Sequence, residues 1–106
     1  MKVNDLVEKY GLKPLNIAEN SEIKAGYCGD LLSVVISKSP EKAVWFTVMN
    51  NVNVSAVATL AEISAVVICD VEDINPTLIQ KAIENNINLL TSNKDVFTTC
   101  RMIGEL

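Results

Sequence analysis

Histidine is missing from this 106-residue sequence altogether. Its absence removes the commonest general base, the commonest metal ligand and any Ser-His-Asp or Cys-His arrangement. Glycine is scarce, the four being Gly11, Gly26, Gly29 and Gly104, and none is followed by Lys-Ser or Lys-Thr. That excludes a P-loop, whose amides must wrap phosphates and whose lysine must reach them. Gly26-Tyr27-Cys28-Gly29 supplies a GxxG where a dinucleotide fingerprint needs GxGxxG. The three cysteines, Cys28, Cys69 and Cys100, are an odd number at wide spacings, so neither a disulfide framework nor a CxxC metal knuckle is expected. Cys69 and Cys100 are expected in the core, where a free cysteine acts as a small hydrophobe. Cys28, between glycines, is read as structural, with a reactive thiol as the alternative.

Long apolar runs are also missing. The longest, Ala65 to Cys69, is far too short to cross a bilayer. Met1-Lys2-Val3-Asn4-Asp5 carries acid early and has no apolar h-region, so no signal peptide is expected and a cytoplasmic location follows. Net charge is −4, and the nine Lys and Arg residues form no basic stripe. Neither nucleic acid nor a membrane surface is therefore an expected partner.

What is present is aliphatic. Hydrophobic residues make up 49% of the chain and aromatics only 5%. Val, Ile, Leu and Ala in such proportion suit a buried parallel sheet covered by helices, and the length suits a single domain over residues 1–106.

The chain reads as alternating elements. Asn4 can cap a helix from Asp5 to about Tyr10, which Gly11 ends, with Pro14 following. Leu15 to Ala18 reads as a short strand, Glu19 to Glu22 as a polar turn and Ile23 to Tyr27 as a second strand. Leu31 to Ile36 is β-branched enough for a strand. It reads as a helix because Asp30 is a good N-cap and because parallel strands on either side need a crossover. Ala43 to Val48 is the clearest strand. Val54 to Ile63 reads as a helix with Val54, Val57, Ala58 and Ala61 on one face, and Ala65 to Cys69 as a central strand. Asn75-Pro76 starts a helix to about Asn85 that buries Leu78, Ile79, Ala82 and Ile83. Asn88 to Thr91 is a last strand. Ser92 to Asp95 has capping-box spacing before a helix whose buried face is Val96, Phe97, Cys100 and Ile103. The fold class is α/β, a small open mostly parallel sheet with helices on both faces.

Candidate site residues are chosen by position. In open α/β sheets ligands bind outside the carboxyl ends of the strands, here Tyr27 to Asp30, Met49 to Asn53, Asp70 to Asn75 and Thr91 to Asp95. The candidate ligand set is Asn50, Asn51 and Asn53, with Gly29, Asp30 and Ser92 nearby. The asparagines are expected to be exposed donors and acceptors beside helix amides, and their competing role is turn and cap formation. Asp70, Glu72 and Asp73 could hold a divalent cation or simply form a solvated turn before a helix N-terminus. No catalytic residue, bound metal or cofactor is expected.

Gly29-Asp30-Leu31-Leu32, the strand Ala43 to Val48, the helix Val54 to Ile63, the strand Ala65 to Cys69, Asn75-Pro76 before Ala82, and Leu90-Thr91-Ser92 before Phe97 together resemble the DRTGG domain family in pattern and spacing, over nearly the whole chain. That family is similar to the N-terminal domain of HPr kinase/phosphorylase and also occurs as an insert in regulated pyrophosphatases and phosphotransacetylases. The resemblance implies an accessory domain, often dimeric, that carries no chemistry. Small stand-alone members bear a serine kinase label by association, and some lie beside iron hydrogenase subunits, so a protein partner in a hydrogenase-associated system is one implication. The naming residues differ here: Asn50-Asn51 stand where Asp-Arg is expected and Cys69-Asp70-Val71 where Thr-Gly-Gly is expected. The expected function is a non-catalytic regulatory or interaction module, a homodimer sensing a small ligand or nucleotide. The alternative is a small enzyme or subunit, either a phosphotransferase accessory or a thiol redox protein using Cys28.

Overall fold

The computed structural model describes residues 1–106. Five strands, β1 (Lys13–Asn16), β2 (Ala25–Cys28), β3 (Ala43–Thr47), β4 (Ala65–Cys69) and β5 (Leu89–Ser92), lie in one sheet in the order β1-β5-β4-β3-β2. β2, β3, β4 and β5 run parallel, and β1 joins the outer side of β5 antiparallel. The helices are α1 (Val3–Glu8), α2 (Leu32–Lys38), α3 (Asn53–Leu60), α4 (Pro76–Glu84) and α5 (Val96–Met102). The fold class is the one expected, a mostly parallel α/β sheet.

Strand alternation divides the core into two layers. Trp45, Val66, Ile68 and Leu89 face Val35 of α2, Val54, Val57 and Ala58 of α3, and Leu78 and Ala82 of α4. Val44, Phe46, Val67, Cys69 and Leu90 face Val3 and Leu6 of α1 and Ile103 just past α5. β3 and β4 are buried at every residue, which is why they read as continuous apolar runs rather than alternating ones. The three crossover helices thus cover one face, and the first and last helices cover the other.

Local chemistry explains the ends of the elements. Gly11 sits at φ 70°. Its N–H donates to the Val7 carbonyl at 3.1 Å, the 5→1 bond of a left-handed glycine stop, and that of Leu12 donates to the Leu6 carbonyl at 3.0 Å. The Asn75 side chain accepts the Thr77 N–H, capping α4 ahead of Pro76. Pro14 lies in the edge strand β1, where the missing N–H costs no ladder bond.

Several expectations need correction. Asn4 does not cap α1: the cap position is Lys2, whose N–H the Asp5 carboxylate accepts, and the N–H of Asn4 is taken by the distant Asn20 side chain. Asp30 does not cap α2, which starts after Leu31; its carboxylate is used on β3 instead. Asp95 rather than Ser92 caps α5, accepting the Thr98 N–H at 2.7 Å. On this helix Phe97 lies about 100° round from the stripe of Val96, Cys100 and Ile103. It is 70% exposed, with the Arg101 guanidinium stacked over its ring. Ile83 is also exposed, because only Leu78 and Ala82 of α4 reach the sheet fully. Cys69 is buried as expected, but Cys100 is only half-buried.

Candidate ligand site at the carboxyl ends of the strands

The sequence-chosen residues fall into two groups on opposite faces of the sheet. Asp30, just past β2, takes the Thr47 hydroxyl at 2.7 Å and the Val48 N–H at 2.9 Å on its Oδ1. The bond explains its failure to cap α2: the last donors of β3 occupy its carboxylate. Gly29 accepts the Trp45 indole N–H on its carbonyl at 2.8 Å. A side chain there would meet the Tyr27 ring at 3.2 Å. Both residues therefore close the β2–β3 end.

Asn50 and Asn51 are half-buried rather than exposed. Asn50 bridges two loops, donating to the Asp73 carbonyl at 3.0 Å and accepting the Asn75 N–H at 2.8 Å. Asn51 accepts the Asn53 N–H at 2.9 Å at the start of α3. Asn53 is exposed. Ser92 ends β5, two strands from β3 and so on the order of 10 Å away. It is buried against α5, where its hydroxyl meets that of Thr99 at 2.8 Å.

The helices change sides between β4 and β5. The chain leaving β4 turns to α4 on one face, and the chain leaving β5 turns to α5 on the other. Adjacent loops that diverge in this way leave a crevice at the carboxyl ends of the strands, the topological switch point. A pocket of about 470 Å³ occupies this corner. Val71 and Glu72 line it from the β4–α4 loop, Ser92, Asn93 and Lys94 from the β5–α5 loop, and Tyr10 to Lys13 from the α1–β1 turn. Thr91 and Met102 complete the wall. The volume lies within the range of small-molecule sites.

The two loops are tied together at the pocket. Asp70, held at φ 62°, donates its N–H to the Lys94 carbonyl at 2.9 Å. Lys13 and Lys94 are exposed and make no ion pair, so two cations face a single lining acid, Glu72. Tyr10 is held by Glu105: its hydroxyl donates to the carboxylate at 2.9 Å, beside the Lys9 ammonium at 3.1 Å. The Tyr10 and Lys9 bonds hold the Glu105 carboxyl below its usual range. Asp70, Glu72 and Asp73 do not converge on a metal-ligand set.

Sequence reasoning placed Asp70 to Asn75 and Thr91 to Asp95 at the relevant edge but centred the site on the asparagines. It missed Tyr10 and Lys13, weighed Glu72 only as a cation ligand, and gave Lys94 no role of its own. The available signal was the change of helix side after β5. Reading it required knowing that α5 covers the face already occupied by α1.

No family model matches this sequence, and no curated protein matches it. Among solved structures, it is similar to the CBS and DRTGG domains of the regulatory region of Clostridium perfringens pyrophosphatase, a structure complexed with the activator diadenosine tetraphosphate. The TM-score is 0.77 at 17% sequence identity. The match covers 95% of this chain and 45% of that one, so the chain spans less than half the length of the structure it resembles. The likeness establishes a fold shared with a regulatory region.

Proposed function

We propose that this chain is a regulatory module that senses a nucleotide-like anion and carries out no chemistry of its own. The observation that carries this reading is the pocket at the switch point between β4 and β5, with Lys13 and Lys94 unpaired on its rim. Two ammonium groups suit phosphate oxygens as point charges. Glu72 and Asn93 suit hydroxyl or amide hydrogens, and Tyr10 supplies an aromatic surface. The activator in the pyrophosphatase regulatory region, a dinucleoside polyphosphate, belongs to the same chemical class. Phosphoryl transfer would need a phosphate cradle, a metal ligand set and a positioned base, and nothing around the pocket forms that combination. The module acts on a partner or as a homodimer, and a hydrogenase-associated assembly is one setting that the family resemblance offers.

The test is a thermal-shift and calorimetric titration with ATP, AMP and diadenosine tetraphosphate. At least one should raise the unfolding midpoint, with no turnover of the nucleotide. The K13A/K94A variant should keep the midpoint of the free protein and weaken binding at least about tenfold, the loss of about 1.4 kcal/mol. Binding that survives the double substitution would move the site elsewhere. Steady nucleotide turnover that a point substitution abolishes would replace the regulatory reading with an enzymatic one.

A further inference from the structure

Cys28 is the last residue of the edge strand β2 and is exposed; Cys100 lies in α5 and is half-buried. The two are 72 positions apart, yet their sulfurs stand 3.4 Å from each other. The third cysteine, Cys69, is buried at the end of β4, with its thiol directed to the Val67 carbonyl at 3.8 Å. An exposed thiol facing a half-buried one, beside a third that solvent does not reach, is more than core packing. We infer that Cys28 and Cys100 form a reversible disulfide that fastens α5 to β2 in response to oxidising low-molecular-weight disulfides.

The geometry is close to what the bond requires. A disulfide has its sulfurs near 2.05 Å, so they must approach by roughly 1.4 Å, within reach of side-chain rotation and a small shift of α5. That helix is only seven residues long. Its start is held by the Asp95 cap and the Ser92–Thr99 hydroxyl pair, and its far end leads to the terminal turn. Leu106 from that turn lies against the Gly26 position of β2, so α5 already reaches across to the edge strand.

The order of events follows from exposure. The Cys28 thiolate attacks one sulfur of the small disulfide, forming a mixed disulfide and releasing one small thiolate. Cys100 then attacks the Cys28 sulfur, releasing the second. Overall, two protein thiols become one disulfide, and the oxidant is reduced to two small thiols that carry away both protons. Burial and the neighbouring Cys28 push the Cys100 thiol up to about 12, so the first attack falls to the exposed Cys28. This inference stands apart from the ligand reading, because neither Cys28 nor Cys100 lines the pocket.

The experiment equilibrates reduced protein with mixtures of reduced and oxidised glutathione, quenches in acid, and labels free thiols with a maleimide after unfolding. At equal concentrations of the two forms, the intact mass should carry one label, at Cys69. Proteolysis should yield a Cys28–Cys100 linked peptide in at least about tenfold excess over the Cys28–glutathione adduct. Cys28→Ser should lose the linked peptide, Cys100→Ser should accumulate the adduct at Cys28, and Cys69→Ala should keep the link. Three labels at every ratio, a dominant adduct in the unsubstituted protein, or disulfides only between chains would each overturn the inference.

Discussion

Asn88 and Glu19 are joined by a reciprocal pair of hydrogen bonds, the Asn88 amide oxygen accepting the Glu19 N–H at 3.1 Å and its amide nitrogen donating to the Glu19 carbonyl at 2.8 Å. The side chain does for the turn after β1 what a neighbouring strand would do. It also accepts the Ala18 N–H and donates to the Ser64 carbonyl, so one buried amide fastens three segments.

Asn88→Ala should therefore cost about 2–3 kcal/mol, the range for stranding buried backbone groups. Asn88→Asp should be no rescue, because it removes the donor that two carbonyls require. Urea unfolding at neutral pH measures both. A loss under about 0.5 kcal/mol for the alanine variant would mean that water replaces the side chain.

Asn50 and Asn51 separate by their partners. Asn50→Ala removes the bridge between the loops after β3 and β4 and should cost about 1–2 kcal/mol. Asn51→Ala removes one turn bond and should cost about 1 kcal/mol or less. If the proposed nucleotide site lies at the β4–β5 crevice, neither substitution should change ligand affinity beyond the effect of Asn50 on the neighbouring loop. A large affinity loss in a stable Asn51→Ala protein would return the site to the asparagines.

Burial pushes the Cys69 thiol from the ordinary thiol range up to about 11. The sign follows from linkage. The folded pKa is raised, so above about pH 9 the unfolded chain gives up a proton that the folded chain keeps, and stability falls until about pH 11. Cys69→Ala removes this titration. Its unfolding midpoint, lower than that of the parent at pH 7.5 because of the cavity, should close part of the gap at pH 10.5. A gap that does not change with pH would contradict the assignment.

The dimer expectation has a surface to work with. Leu31, Val34 and Ile36 around α2, and Val52 and Leu60 around α3, remain exposed on neighbouring elements, beside the free edge of β2. Light scattering should give about twice the 11.6 kDa chain mass across a tenfold dilution, and L31E/L60E should halve it. A monomer at every concentration removes the homodimer from the proposed function.

All ten elements were legible in the sequence, because the apolar runs and the Asn75-Pro76 and Gly11 signals are local. Val54, Val57, Ala58, Leu78 and Ala82 were placed in the core correctly by helical period alone. Errors gathered where a polar side chain had a choice. Asp30 and Ser92 both fit a helix cap, yet Thr47 and Thr99 claim them through contacts the sequence does not order. Phe97 was misplaced because it lies about 100° round α5 from Val96, outside the stripe that Val96, Cys100 and Ile103 form. The crevice between β4 and β5 depends on which side of the sheet α5 covers, a long-range fact with no local signature.

The antiparallel seam between β1 and β5 joins residues 13–16 to residues 89–91, across about three quarters of the chain. On a ribosome, α1 and β1 would emerge early and wait without a place in the sheet until β5 had been made. The face under α1 would stay open to solvent for that whole interval, and the pocket wall from the α1–β1 turn would be absent. A product cut short before β5 would leave the apolar face under α1 uncovered, and the crevice would lack its wall from Thr91 to Lys94.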